Sequence, residues 1–221
     1  MKVAVVQFPG SNCDYDTLYV LKNILGLEAE LVWHKEFDDS RFDSAILPGG
    51  FGYGDCLRAG AIAAHSSAID KIKKMADEGL PVLGICNGFQ ILAESNLLPG
   101  ALLKNSCLKF VCRWVDLRVE STNSAFSASF NGGSLVRMPV AHHEGRYFVD
   151  EETLMEMERN DQIVFRYAGE NPNGSVNNIA GVRNSAGNVV GLMPHPERAC
   201  ERILGAEDGK LVFHSMISWS K

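Results

Sequence analysis

The sequence lacks the marks of a membrane protein, a nucleic-acid-binding protein and a zinc protein. Its first residues, MKVAVVQFPG, contain no apolar core of a signal peptide, and no window offers the ~20 apolar residues that span a bilayer. With a net charge of −6, it shows no basic stripe that would neutralise phosphates. Its six cysteines have neither CxxC nor Cys/His ligand spacing. We therefore expect a cytoplasmic protein with reduced thiols, no bound metal, no membrane contact and no nucleic-acid partner.

What is present in the first hundred residues is an alternation of short strands and helices. The segments typical of strands are KVAVVQF, AELVWH, DSAILPGG and PVLGIC. The segments with helical spacing are DYDTLYVLKNIL and residues 59–79, an alanine-rich stretch that ends at Gly79. Such alternation predicts βαβ units, and therefore an α/β fold with a mostly parallel open sheet and helices on both faces.

After Gly100 the pattern becomes richer in strands. The segments CLKFVCRWVDLRVE, SLVRMPVAHH, QIVFRYA, NIAGVRN and NVVGLMPH are separated by Asn, Gly and Ser turns. They predict antiparallel additions to the sheet in the C-terminal half, and GKLVFHSMISWSK predicts a closing helix. Since no repeat, low-complexity run or linker interrupts the chain, we expect residues 1–221 to form a single domain.

The segment LGICNGFQIL places Cys86 between Gly84 and Gly88, where a buried strand gives way to a helix. This spacing is that of a nucleophile elbow, in which a sharp strand-to-helix turn needs small neighbours on both sides of the nucleophile. The N-terminus of the following helix favours negative charge on the sulfur. The opposing interpretation is a small buried hydrophobic cysteine. We favour a nucleophile, and we expect the other five cysteines to be structural.

A cysteine nucleophile needs a base, and His195 in MPHPER is the first candidate. Because it precedes Pro196, His195 should be extended, which lets Glu197 approach and orient the imidazole. The alternative is a loop histidine with its hydrogen bonds satisfied and with Glu197 solvated. His142 and His143 in VAHHEG are competing bases that rank second.

The glycine-rich tract LPGGFGYGD supplies bare backbone after the strand that ends at Leu47. We assign the oxyanion hole to the N–H groups of Gly50 and of Asn87, the residue after the nucleophile. The alternative is a loop without such a role. The tract has no GK[ST] ending and does not follow the first strand, so a nucleotide site is not expected there.

The motifs PGGFGYGD, GICNGFQ and MPHPER, in this order, resemble those of the class I (triad) glutamine amidotransferases. The resemblance extends over nearly the whole chain and implies a flavodoxin-like fold. It also implies that Cys86 attacks the side-chain amide of glutamine to form a thioester, that His195 protonates the leaving ammonia and that Glu197 holds His195. It suggests Gln90, Asn105 and Phe110 as substrate-binding residues.

Within the family, FPGSNCD, LKFVCRWVDLRVE and PVAHHEGRY resemble the stand-alone glutaminase subunits of purine biosynthesis. The resemblance implies a large synthetase subunit and a small bridging subunit as partners. ATP and Mg²⁺ are expected on the synthetase, and no cofactor is expected on this chain. His143 stands where the pattern has glycine, and Cys56 where it has tyrosine.

Two other functions stay open at this stage. One is a cysteine-elbow thiol hydrolase or deglycase that uses a different histidine, and the pair His195 and Glu197 argues against it. The other is an inactive amidotransferase-like binding module, which would be expected to have lost its nucleophile or base. Consumption of glutamine rather than of a dicarbonyl compound separates the two enzymes.

Overall fold

The computed structural model describes residues 1–219, and this part of the chain contains eleven strands and five α-helices. The strands are β1 (Lys2–Gln7), β2 (Glu28–Trp33), β3 (Ser44–Leu47), β4 (Val82–Ile85), β5 (Ala101–Leu103), β6 (Val111–Val119), β7 (Leu135–His142), β8 (Arg146–Phe148), β9 (Ile163–Ala168), β10 (Ile179–Arg183) and β11 (Val189–Leu192). The helices are α1 (Asp14–Tyr19), α2 (Ser67–Asp77), α3 (Asn87–Glu94), α4 (Glu151–Arg159) and α5 (Lys210–Trp219). Ser220 and Lys221, the end of the predicted closing helix, lie outside the described residues.

Nine of these strands form one mixed sheet in the order β2-β1-β3-β4-β11-β10-β9-β6-β7. The first five strands of that order are parallel to one another, and the remaining ladders are antiparallel. Strands β5 and β8 form a small separate sheet. The predicted fold class, a mostly parallel sheet with antiparallel additions in the C-terminal half, is confirmed.

The burial of each strand accounts for the order of apolar and polar residues in its sequence. Strands β3, β4 and β11 are buried at every position, because helices cover both faces of the parallel part of the sheet. The last four residues of β6 alternate between exposed and buried, as expected for a strand with one solvated face. Among residues 1–219, no helix is long and apolar enough to cross a membrane.

The alanine-rich stretch of residues 59–79 differs from its prediction as a single helix. Helix α2 begins only at Ser67, and the residues before it form short turns. Gly60 has a φ of +83°, and an ideal Cβ there would lie 2.8 Å from the backbone of Gln90. This close approach to α3 requires a glycine in a non-helical conformation. The alanine content of residues 59–79 therefore predicts a longer helix than the structure contains. Gly79, with a φ of +81°, ends the helix as predicted.

The residues singled out for chemistry follow the carboxyl ends of neighbouring parallel strands. The glycine tract follows β3, Cys86 follows β4, and His195 comes shortly after β11. Strands β3, β4 and β11 are adjacent in the sheet. In open α/β sheets, ligands bind at this edge.

Candidate active site

The turn between β4 and α3 holds Cys86 in a strained backbone conformation. Its φ of 49° and ψ of −103° lie outside the regions that residues with a side chain ordinarily adopt. An ideal Cβ at Gly84 would lie 2.6 Å from the backbone of Gly88, and one at Gly88 would lie 2.0 Å from the Leu47 carbonyl oxygen. Both glycines are therefore required for α3 to pack directly on β3 and β4 behind the nucleophile.

Cys86 lines a cavity of about 220 Å³ at this edge of the sheet. Of the residues expected in the site, Gly50, Phe110 and His195 also line it. Asn12, Cys13, Phe51, Ala141 and Arg198 complete the wall without having been assigned from the sequence. The Cys86 side chain is buried, with its Sγ 3.7 Å from the carbonyl oxygen of Ala141.

His195 and Glu197 form a buried pair beside this cavity. The Nδ1 of His195 donates to the Oε1 of Glu197 at 2.6 Å. His195 is extended, with a φ of −103° and a ψ of 92°, and Pro196 begins the single helical turn that carries Glu197. The backbone N–H of His195 donates to the carbonyl oxygen of Pro139 at 2.8 Å, which fixes the residue against β7. The geometry is that of a base and its orienting carboxylate.

The charges around His195 favour its protonated form. Burial lowers the pKa of the imidazole, but the negative charge of Glu197, followed by that of Cys86, outweighs burial and raises this pKa well above its ordinary value. The ring therefore holds a proton that it can give to a leaving group.

His142, the competing base, lies in a different environment. Burial, followed by the charge of His195, lowers its pKa to about 4. Its Nδ1 donates to the Oδ1 of Asn105 at 3.1 Å, and its Nε2 lies 3.4 Å from the Nδ2 of Asn173. Both ring nitrogens thus have partners in the protein, and neither His142 nor His143 lines the cavity. We infer a structural role for His142.

The two backbone groups assigned to the oxyanion hole carry unused donors. Among the described residues, no acceptor takes the N–H of Gly50 or of Asn87. The side chain of Asn87 adds a contact that sequence reasoning missed, because its Oδ1 accepts from the N–H of Gly52 at 3.1 Å. This hydrogen bond ties the glycine tract to the nucleophile elbow.

The three residues suggested as substrate contacts lie in two different places. Phe110 stands at the cavity, half exposed, with its ring centroid 6.3 Å from that of Phe51. Gln90 and Asn105 are buried and do not line the cavity.

The amide groups of Gln90 and Asn105 are occupied by other parts of the chain. Gln90 donates to the carbonyl oxygen of Glu144 at 2.6 Å and accepts from Asn87 at 2.9 Å. Asn105 donates to the carbonyl oxygens of Lys109 and His142 and accepts the N–H of Gly145. A direct substrate contact by either residue stays a prediction.

Cys13, expected to be a structural cysteine, lines the cavity. Its S–H donates to the Oδ1 of Asn12 at 3.1 Å, and the Nη2 of Arg198 donates to its sulfur at 3.2 Å. Burial raises the pKa of the Cys13 thiol. The available signal was the position of FPGSNCD after β1, since β1 pairs with β3 and their carboxyl ends share one edge.

Comparisons with known proteins agree with this geometry. Residues 1–215 match the CobB/CobQ-like glutamine amidotransferase domain. The chain is 54% identical to the phosphoribosylformylglycinamidine synthase subunit PurQ of Methanosarcina mazei, covering 99% of this chain and 98% of that protein. It is also 54% identical to the same subunit of Aquifex aeolicus, over 99% of this chain and 100% of the relative.

A solved structure of PurLQS from Thermotoga maritima contains a chain that is 47% identical, with a TM-score of 0.91 and coverage of 100% of this chain and 99% of that one. The glutaminase domain of Trypanosoma brucei CTPS, at 14% identity and a TM-score of 0.64, shares the fold alone. The chain therefore belongs to the CobB/CobQ-like glutamine amidotransferase family, in the branch of the PurQ subunits of phosphoribosylformylglycinamidine synthase.

Proposed function

We propose that this chain hydrolyses glutamine at Cys86 and supplies the ammonia to the synthetase of phosphoribosylformylglycinamidine synthase. One observation carries the proposal: the thiol of Cys86, on its strained backbone, and the buried pair of His195 and Glu197 lie at one cavity. A nucleophile, an acid-base group and an orienting carboxylate are the set that acyl transfer requires.

In the first half of the reaction, the Cys86 thiolate attacks the side-chain amide carbon of glutamine. Negative charge develops on the amide oxygen, where the unused N–H groups of Gly50 and Asn87 can donate to it. His195 gives its proton to the nitrogen as the carbon–nitrogen bond breaks. Ammonia leaves, and a γ-glutamyl thioester remains on Cys86.

In the second half, water attacks the thioester and His195 takes a proton from that water. The carbon–sulfur bond breaks, glutamate leaves and the Cys86 thiolate returns. The sum is glutamine plus water giving glutamate plus ammonia. Glu197 accepts the Nδ1–H of His195 throughout, which keeps the other nitrogen, Nε2, facing the reacting groups.

The surroundings of the cavity suggest how glutamine is held. The half-exposed rings of Phe110 and Phe51 flank the cavity and can pack against bound glutamine. Gln90 and Asn105, suggested as substrate contacts, hold the segments around Glu144 and Gly145 in place.

The proposal assigns the remaining chemistry to partner subunits. A large synthetase subunit would use ATP and Mg²⁺ to activate the amide oxygen of formylglycinamide ribonucleotide, and ammonia would complete the amidine. A small bridging subunit would join the two enzymes. No cofactor is assigned to this chain, and its cytoplasmic location stays a prediction.

A chloroketone analogue of glutamine tests the proposal directly. The full-length chain should be alkylated at Cys86, and excess glutamine should protect it, as read by peptide mass spectrometry. Cys13, in the same cavity, is the internal comparison and should stay unmodified. Modification of Cys13 instead, or labelling of Cys86 that glutamine does not slow, would contradict the assignment. The second outcome is the one expected of a dicarbonyl hydrolase.

A further inference from the structure

The side chains of Cys13, His195 and Glu197 form a cluster of metal-ligating groups at the candidate active site. One ligand atom from each residue lies within 4.8 Å of the other two. All three residues are buried, with exposed fractions of 3%, 1% and 2%. A thiol sulfur, an imidazole nitrogen and a carboxylate oxygen are the ligands that Zn²⁺ takes in proteins.

Two polar atoms of this cluster have no hydrogen-bond partner among the described residues. They are the Nε2 of His195 and the Oε2 of Glu197, and both are buried. Buried polar atoms are nearly always paired, and each exception in a folded protein needs an explanation. Because Nε2 lies on the far side of the imidazole from Glu197, an ion bound by both side chains would replace the hydrogen bond between Nδ1 and Oε1.

The position of Cys13 beside His195 depends on Gly49. An ideal Cβ at Gly49 would lie 3.0 Å from the Sγ of Cys13 and 2.8 Å from the Cε1 of His195. The sulfur and the imidazole therefore both lie against the backbone of Gly49, in the space that a side chain there would fill. Glutamine hydrolysis assigns no step to Cys13, so its presence there needs a separate reason.

We propose that Cys13, His195 and Glu197 form an inhibitory zinc site, in which the bound metal prevents His195 from acting as the acid-base group for Cys86. Zn²⁺ displaces to solvent the proton of the Cys13 thiol and the proton of the imidazole nitrogen that it binds, and it accepts lone pairs from the sulfur, that nitrogen and one carboxylate oxygen. Three protein ligands leave a fourth tetrahedral position, which water can fill. The metal binding stands on geometry, whereas the inhibition rests on the proposed role of His195.

Arg198 is the positive side chain in contact with this cluster, since its Nη2 donates to the Cys13 sulfur at 3.2 Å. The thiolate of Cys13 and the carboxylate of Glu197 together offset the double charge of the ion. Arg198 therefore faces a neutral site, and its hydrogen bond favours the thiolate that coordination requires. The hydrogen bond from the Cys13 S–H to the Oδ1 of Asn12 is lost when zinc binds. Because Asn12 is exposed, this oxygen can accept a hydrogen bond from water instead.

The test is a metal titration of the full-length chain. Zn²⁺ is titrated in competition with a chromophoric chelator, and Co²⁺ serves as the spectroscopic probe. The wild type should bind one ion and show thiolate-to-cobalt charge-transfer absorption. Cys13→Ser should lose this absorption and bind zinc at least about tenfold more weakly. Cys112→Ser removes an exposed thiol outside the cavity and should bind like the wild type.

A second variant separates the loss of a zinc ligand from the loss of the folded structure. Cys13→Ala repeats the experiment without a buried hydroxyl, and circular dichroism verifies that each variant is folded. Undiminished zinc affinity in the folded Cys13 variants would overturn the site, as would cobalt spectra of the wild type without thiolate absorption. Loss of affinity in Cys86→Ser with none in Cys13→Ser would also overturn it, by assigning the metal to the nucleophile.

Enzyme activity supplies an independent readout of the inhibition. Glutamate release by the wild type should fall over the zinc concentrations that fill the site, and a chelator should restore it. Metal binding that leaves glutamate release unchanged would overturn the inhibitory role. A reconstituted synthetase complex that releases no glutamate with or without zinc would instead contradict the proposed function, while the titration still decides the metal site.

Discussion

Replacing Glu197 with glutamine measures how far the proposed chemistry depends on the charge behind His195. The side chains form a buried hydrogen bond of 2.6 Å between Nδ1 and Oε1. The substitution keeps the size and a carbonyl acceptor but removes the charge. A hydrogen bond to a charged group contributes about 1.5–3 kcal/mol, and each 1.36 kcal/mol is a factor of ten in rate. We therefore expect kcat/KM for glutamine to fall roughly 10- to 150-fold.

The pH profile of Glu197→Gln should also move in one direction. In the wild type, burial lowers the pKa of His195, but Glu197 and then Cys86 raise it well above its ordinary value. The imidazolium that protonates the leaving ammonia is present below that raised pKa and is lost as the pH rises through it. Without the carboxylate, burial remains and the pKa falls. The alkaline limb of kcat/KM should therefore shift to lower pH.

The assay is glutamate release by the reconstituted synthetase complex across neutral and alkaline pH. His195→Ala should lose more activity than Glu197→Gln, since general acid-base groups contribute about 10²- to 10⁴-fold. Glu201→Gln makes the same chemical change outside the cavity and should leave the profile unchanged. An alkaline limb that stays in place in Glu197→Gln, or a loss equal to that of His195→Ala, would refute the role given to Glu197.

Three further experiments probe the nucleophile, the elbow and the coupling to partners. Cys86→Ala should abolish glutamine-dependent synthesis by the reconstituted complex but preserve synthesis from ammonium, and equal loss with both nitrogen sources would contradict its role. Gly88→Ala should lower the free energy of unfolding by about 1–3 kcal/mol or more, measured in urea, because its Cβ would lie 2.0 Å from the Leu47 carbonyl oxygen. Gly132→Ala, whose Cβ meets nothing closer than 4.0 Å, is the matched control. Glutamate release should be slow for the isolated chain and faster in the assembled complex with nucleotide and acceptor, and equal rates would rule out gating by partners.

The parts of the site that the sequence predicts are those set by short-range geometry. The spacing of Gly84, Cys86 and Gly88 encodes a turn that fits only one packing of α3 against the sheet. The bias of a residue before proline places His195 in extended conformation, with Glu197 in contact. In both cases, residues at most four positions apart determine the result, so a local pattern is sufficient.

The parts that the sequence does not predict depend on contacts between distant segments. Cys13 reaches His195 because β1 and β11 belong to the same parallel array; the position of FPGSNCD after β1 indicates the shared edge of the sheet but not the contact with His195. The Oδ1 of Asn87 accepts a hydrogen bond from the N–H of Gly52, 35 positions earlier in the chain, whereas the sequence indicated a role only for the Asn87 backbone. The length of α2 was overestimated because the approach of Gly60 to α3 overrides local helix propensity.

Backbone strain at this edge of the sheet indicates which side of the site responds to partners. Cys86 has positive φ, as do Tyr53, Asp55 and Leu57 in and after the glycine tract. Such conformations cost of order 1–3 kcal/mol each and persist where the surroundings impose them. Around Cys86 the surroundings are the fully buried β4 and the first seven, buried residues of α3, which leave no room for adjustment. The tract, by contrast, reaches solvent at Phe51 and Gly54 and is tied to the elbow through Asn87 and Gly52. A partner that reshapes the tract would therefore act on the oxyanion donor at Gly50 and leave the nucleophile in place.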